Sequence, residues 1–228
     1  MRILFFTIFL FYQFAFAQTN SKEIFINFDK KVGIENSILN SGYLFQKKHK
    51  TKKGAHQFLG ENIFHEKNKI LYKGQNFYNI PLKYDLFNEN LIVNITTKTE
   101  KHSVILTKKY IKSFSIGDKN FINSKKHGYL EVISNSRSII LYKKHTKKRL
   151  EKKDKKNRYS VYLKKEKYYL EIKENFYPIK NRKSWSALFP NQKKEIKKHY
   201  RIYKTEFKNN KNSFMMVLLK MVLKAQGL

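Results

Sequence analysis

The chain has no cysteine. That excludes disulfide staples, thiol catalysis and thiolate metal sites, and it excludes a lipid anchor on a cysteine after the leader. Stability has to come from packing alone. Acidic residues are scarce, with 17 Asp and Glu against 49 Lys and Arg and a formal net charge of +32. AT-rich codons account for part of the lysine, but glutamate has such codons too, so its scarcity points to a physical cause. A field of this sign favours anionic partners. Long apolar runs are also missing. The longest, Ile3 to Phe16, falls short of the ~20 residues that span a bilayer, and nothing later approaches it, which predicts no transmembrane anchor. There is no Gly-x-Ser-x-Gly elbow, no Walker loop and no dinucleotide fingerprint, so no catalytic residue and no cofactor is assigned. The histidines His49, His56, His65, His102, His127, His145 and His199 form no His-x-x-x-His or His-Glu-x-x-His pair. A metal site would have to be assembled from distant loops, and none is assigned.

The most informative feature present is the start. Arg2 precedes an almost unbroken apolar stretch that closes on Ala15-Phe16-Ala17, with Gln18 next. A positive start, a short apolar core and small residues at −3 and −1 predict a secretory signal peptide over residues 1–17, cut between Ala17 and Gln18. The expected address is the periplasm or cell envelope. Chromosomal DNA, cytosolic RNA and ATP-driven chemistry are then excluded as everyday partners. About 210 residues remain, enough for a core without disulfides, and the mature net charge is +31.

Residues 18–61 read as an N-terminal arm holding a helix or strand. Ile24, Ile26 and Phe28 alternate as in a strand, and Ile34 to Phe45 is close to a short amphipathic helix. Lys47 to Lys53 reads as a basic loop. From 62 to 180 the apolar period is two, with short polar turns such as Lys73-Gly74, Asn88-Glu89-Asn90, Gly117-Asp118, Lys165-Glu166 and Lys173-Glu174-Asn175. Pro81 marks an edge strand or a bulge. No crossover helices intervene, so the expected fold is α+β, an antiparallel meander curled into a sandwich or half-open barrel. An outer-membrane barrel is disfavoured by the lysine-rich strands and the helical end. From 184 to 228 the period turns helical. Ser184 is expected to cap a turn holding Trp185 and Leu188, ended by Pro190. Asn191 then caps a helix with an Ile196, Tyr200, Tyr203 and Phe207 stripe, and Asn212 or Ser213 caps a last helix bearing Phe214, Leu218, Met221 and Val222. These are expected to pack as a helical hairpin on the strands.

Four blocks carry a resemblance. They are Tyr72-Lys73-Gly74-Gln75 with Phe77-Tyr78-Asn79, Leu82-Lys83-Tyr84-Asp85-Leu86 and Leu91-Ile92-Val93; Gly128-Tyr129-Leu130-Glu131-Val132; Leu141-Tyr142-Lys143-Lys144-His145; and Leu188-Phe189-Pro190 with Lys193-Lys194-Glu195-Ile196. As an ordered set, from Ile63 to Leu223, they resemble a family of exported proteins of Bacteroidota-type bacteria. The resemblance implies an envelope address and a strands-then-helices layout, and it brings no activity or catalytic residue.

The strongest functional signal is a cationic run: Lys143, Lys144, Lys147, Lys148, Arg149, Lys152, Lys153, Lys155 and Lys156, against only Glu151 and Asp154. It reads as a protruding hairpin loop that attracts anions, with Tyr142 and Tyr159 placed to stack or to sit at headgroup level. Lysine over arginine favours point-charge attraction to bidentate phosphate reading. Asp85 and Glu131 read as wet-face strand residues neutralising lysines. The leading expectation is a non-enzymatic envelope protein that binds an anionic component (lipid phosphate, lipopolysaccharide or acidic polysaccharide) or an acidic protein, with peripheral membrane contact and no cytosolic nucleic acid. The alternatives are a lipid or hydrophobic-ligand carrier, with the Met215, Met216 and Met221 helix as lid, and a hydrolase with a composite acidic site.

Overall fold

The computed structural model describes residues 21–52, 54–97, 99–136, 139–154 and 157–227. The expected leader over residues 1–17 and its expected cleavage point, with Lys53, Lys155 and Lys156, lie outside them. The fold is α+β, with antiparallel strands followed by a helical C-terminal region. The residues fall into two compact units. One holds the described residues up to Lys48 with those of Gly60–Asp85 and Asn90–Asp118; the other holds the described residues of His49–Leu59, Leu86–Glu89 and the segment from Lys119 on.

The first unit opens with helix α1 (Ser21–Val32), where Ile24, Ile26 and Phe28 alternate as in a strand. Glu23 in its first turn and Lys30 and Lys31 in its last complement the helix dipole. Gly33, at φ 79, then ends it, with its amide donating to the Asp29 carbonyl at 2.9 Å. The expected helix over 34–45 is instead two 3-10 turns, Ile34–Asn36 and Ile38–Asn40. Strand β1 (Tyr43–Leu44) follows, then β2 (His65–Tyr72), β3 (Gln75–Asp85), β4 (Asn90–Thr96), β5 (Lys101–Ile105) and β6 (Ile111–Ile116). Their order is β1-β5-β4-β3-β2-β6, antiparallel throughout. The meander thus covers β2 to β5, after which the chain returns to add β6 beside β2. Lys73 and Gly74, at φ 48 and 82, make the tight turn between β2 and β3. Pro81 sits inside β3, which is paired on both sides. Opposite it the β2 register shifts between His65 and Asn68, so the missing amide falls at a bulge. Buried Asn68 spans that bulge, donating to the Ile80 carbonyl at 3.2 Å and accepting from the Gly117 amide at 3.1 Å. Leu91 to Ile95 are buried on both faces of β4, as befits a strand inside the unit.

The second unit is a meander in chain order: β7 (Lys119–Ser124), β8 (Gly128–Asn135), β9 (Ile139–Asp154), β10 (Asn157–Ile172) and β11 (Asn175–Ile179). Among the described residues β11 pairs with β10 alone and β1 with β5 alone, so each unit keeps an open edge strand. Lys173 and Glu174, at φ 48 and 64, form the expected turn before β11. Lys165-Glu166 is not a turn, because β10 runs through it in unbroken register with β9.

The C-terminal region has more helices than the expected pair: α2 (Arg182–Leu188), α3 (Lys193–Ile202), α4 (Lys204–Asn209) and α5 (Lys211–Lys224). The caps differ from the expected ones. Asn181 caps α2, with Ser184 completing a capping box from the third helical position. A 3-10 turn over Pro190–Gln192 precedes α3, so Asn191 caps nothing. Asn210 caps α5, its side chain accepting from the Ser213 amide at 3.2 Å. The helices bury Trp185, Phe189, Ile196, Phe214, Met215, Leu218 and Val222 against Ile139, Leu141, Tyr168, Leu170 and Ile179. Met215 is wholly buried there, with Met216 and Met221 packed alongside as core filler.

With no disulfide, this cluster carries the stability of the unit. Leu218→Ala is expected to cost about 2–5 kcal/mol, and Val217→Ala, one residue away but 47% exposed, within about 0.5 kcal/mol, both read by urea unfolding. Equal losses for the two would contradict this placement of α5.

Candidate functional site

The cationic run is a strand. Lys143 to Asp154 form the outer part of β9, and the ladder with β10 continues from Ile139↔Ile172 to Asp154↔Asn157. Neighbouring strands stop early. β8 meets β9 only over Ile140 to Lys143, and β11 meets β10 only over Tyr168 to Ile172. Past these points the hairpin is a two-stranded ribbon of roughly 30 Å at about 3.3 Å per residue. It is braced by the His49–Leu59 segment. The Ser160 amide donates to the Lys50 carbonyl at 2.9 Å, Arg149 donates to the His49 ring at 2.7 Å, and the Lys147 ammonium donates to the His56 and Phe58 carbonyls at 2.6 and 2.8 Å.

Position along the hairpin, covered by neighbouring strands at its inner end and open further out, therefore divides the predicted residues into three groups. Lys143 and Lys144 are buried and Lys147 is committed to backbone carbonyls. Arg149 is half-buried against His49. Lys148, Lys152 and Lys153 are exposed, and Lys155 and Lys156 lie outside the described residues. Across the ladder the exposed group is joined by Arg158, Lys165 and Lys167 of β10. On one face Lys148 stands opposite Leu163, Leu150 opposite Val161, and Lys152 opposite Tyr159. Leu163 is 51% exposed, and the Lys52 ammonium lies 5.5 Å from the centre of the Tyr159 ring. Tyr142 is not at this surface. It is buried, donates to Glu171 at 2.8 Å and stacks on Phe176.

The buried end of the hairpin holds a polar cluster. β7, β8 and β9 align Phe121, Glu131 and Lys143 in register on one face, and His145 lies two residues further along β9. The His145 Nε2 bonds to the Glu131 carboxylate, and its Nδ1 lies 3.8 Å from Glu166, its neighbour across the ladder. Glu166 also accepts from Lys143 at 3.0 Å and from Lys164 at 2.6 Å. Lys143 donates to Asn212 of α5 at 3.1 Å, and the Tyr168 hydroxyl donates to the same oxygen at 2.6 Å. Glu131 is thus in the core, where the alternation placed it on a wet face. Asp85, in the other unit, is likewise fully buried.

A second ion pair lies on the other face of β9. Burial and the neighbouring Lys167 charge push the Lys144 ammonium down to about 8, and the Glu89 carboxylate lies against it. Glu89 also accepts from the Tyr129 amide at 3.1 Å and rests over Gly128, at φ 68. The positive φ favours glycine there, and a Cβ would displace that carboxylate.

The His145 and Glu131 pair has the parts of a base and its orienting acid, but their side chains are 2% and 6% exposed. A buried imidazole held this way clasps three strands together, and Asn212 ties the last helix to the clasp. Among the described residues no group of three or more His, Asp or Glu is arranged to hold a metal. No described helix is long and apolar enough to cross a membrane. In the first unit a cavity of about 330 Å³ lies between α1 and β3, lined by Ile26, Asp29, Ile34, Phe77 and Ile80. Comparison with protein-family models, with curated proteins and with solved structures finds no match to this chain.

Burial works to raise the Glu166 pKa, but hydrogen bonds from Lys164 and Lys143 and their charges outweigh it, so the carboxyl sits below the ordinary glutamate value. Its contribution to stability is therefore complete above that ordinary value and disappears as pH falls through the lower folded one. Unfolding free energies between about pH 6 and about pH 3 should fall more steeply for the native chain than for Glu166→Gln. Parallel curves would remove Glu166 from the cluster.

Proposed function

We propose that the chain is an exported, non-enzymatic envelope protein that docks on an anionic surface through the outer ribbon of β9 and β10. The observation that carries this reading is the sorting of charge along one hairpin. Lys143, Lys144 and Lys147 have partners, whereas Lys148, Lys152, Lys165 and Lys167 are exposed on one face of the ribbon and Lys153 and Arg158 on the other. Interspersed among them on one face are Leu150, Tyr159, Val161 and Leu163. An apolar strip inside a cationic frame suits the headgroup region of an anionic bilayer, where side chains enter the interface while ammonium groups meet phosphates. The cleavable leader and the resemblance to exported proteins support the envelope address. A general excess of lysine keeps a protein soluble without a partner; a half-exposed leucine and a ring of tyrosine, valine and leucine within the lysines add what solubility alone does not require.

Each lysine near an anionic membrane surface contributes about 1 kcal/mol. Lys148→Gln, Lys152→Gln and Lys153→Gln together are expected to weaken binding to vesicles of phosphatidylglycerol and phosphatidylcholine on the order of 100-fold. Binding by the native chain should drop sharply as salt rises from about 0.1 M to about 0.5 M. Sedimentation with vesicles reads both effects, and a triple variant that binds like the native chain would end the proposal.

A further inference from the structure

The helical region carries a second cationic feature of a different kind. A cavity of about 430 Å³ is lined by Arg182, Lys194, Lys197, Lys198, Tyr200 and Arg201. Arg182 starts α2, and the other five lie on α3. Lys194, Lys197, Lys198 and Arg201 are spaced i, i+3, i+4 and i+7, which places four cations on one face of that helix. Like charges at these spacings repel and destabilise a helix. Glu195 is the one acid on α3 and lies off the stripe. The opposite face is fixed, since Ile196 and His199 are buried in the core.

Tyr200 lines the cavity as well. The Tyr200 ring packs against Phe207 and Phe214 at centroid distances of 5.4 and 4.8 Å. Its hydroxyl is buried and, among the described residues, has no hydrogen-bond partner. Burial holds that phenol protonated well above its ordinary range, and the charge of Arg182, which lines the same cavity, acts on it in the opposite sense. A buried hydroxyl without an acceptor is costly unless a ligand supplies one. Two of the chain's six arginines are on this one cavity. Arginine reads a tetrahedral oxyanion with two parallel donors, which the point charges of the lysine ribbon do not. The volume falls within the range of small-molecule sites.

We infer that this cavity between α2 and α3 is a binding site for a phosphomonoester group, carried on a small sugar or on a lipid head. Arg182 and Arg201 grip the phosphate oxygens, the lysine stripe neutralises its charge, and the Tyr200 hydroxyl donates to an oxygen of the ligand. This site is independent of the β9–β10 ribbon and does not require it.

Calorimetric titration of the full chain with glucose 6-phosphate, with glucose as the uncharged control, tests the site. The phosphorylated sugar is expected to bind and glucose not to. Arg182→Gln with Arg201→Gln should weaken binding about tenfold or more, and Tyr200→Phe, which keeps the ring packing, about threefold. Lys220→Gln with Lys224→Gln removes the same net charge from exposed positions on α5 and should leave binding unchanged. Sedimentation with phosphatidic acid vesicles in the ribbon variant, Lys148→Gln with Lys152→Gln and Lys153→Gln, assigns the source. Binding that depends on the two arginines identifies a lipid head, and glucose 6-phosphate binding without it identifies a soluble ligand; either supports the site. If the α5 control weakens binding as much as the arginine pair does, the attraction is general basicity and the site is overturned. It is equally overturned if neither glucose 6-phosphate nor the vesicles bind. Loss of vesicle docking in the ribbon variant with glucose 6-phosphate affinity intact separates the two proposals.

Discussion

The uninterrupted pairing of β9 with β10 is the constraint on which the second unit depends. One register, from Ile139↔Ile172 to Asp154↔Asn157, gives the same hairpin a buried end and an exposed end. At the buried end, alternation sends Leu141, Lys143 and His145 to the face where Glu131, Tyr168 and Asn212 wait. At the exposed end, the same alternation leaves Lys148 and Lys152 beside Leu163 and Tyr159. A one-residue slip would exchange the two faces, exposing His145 and burying lysines without partners. The polar cluster resists such a slip, because Glu131 and Glu166 accept only from a chain that holds His145 and Lys143 in place. Removing one member leaves the others buried and uncompensated, which is why such groups fix register better than they add stability.

The polar clasp also links the sheet to the helices. Asn212 accepts from both Lys143 and Tyr168, so α5 is held by directional bonds as well as by the apolar seam of Phe214, Leu218 and Val222. In a chain without cysteine the apolar packing has to supply the stability, while the buried polar bonds fix where α5 sits. With the helices held in this way, α3 can present four cations on one face without leaving the core.

Much of the fold was legible in the sequence where local pattern decides it. Leu82 and Tyr84, Leu91 and Val93, and the turns at Lys73-Gly74 and Lys173-Glu174 follow period two and the residue chemistry of tight turns. The failures have physical causes. Ile24, Ile26 and Phe28 alternate, yet the segment is helical because Glu23, the terminal lysines and Gly33 define helix ends more strongly than three residues define a strand. The caps shifted by two or three positions because Asn and Ser are interchangeable acceptors at that spacing, and only the tertiary position of Trp185 or Phe214 selects among them. The lysine run read as a loop because it holds a single apolar residue, Leu150; its strand character comes from Val161 and Tyr159 across the ladder. Glu131 read as solvated because its partners His145 and Lys143 are brought beside it by register, which leaves no local trace. The Lys194 to Arg201 stripe was visible only as the polar side of an amphipathic helix; Arg182, which closes the cavity, comes from another helix.

The central claim is that the exposed end of this hairpin meets an anionic bilayer. The absence of cysteine permits a direct measurement: a single cysteine in place of Leu163 carries an environment-sensitive fluorophore, and one in place of Val217 serves as reference. The account predicts that phosphatidylglycerol vesicles shift the emission at position 163 to the blue, that phosphatidylcholine vesicles do not, and that position 217 is silent to both. Vesicles that sediment the protein while leaving the label at 163 unchanged would contradict it.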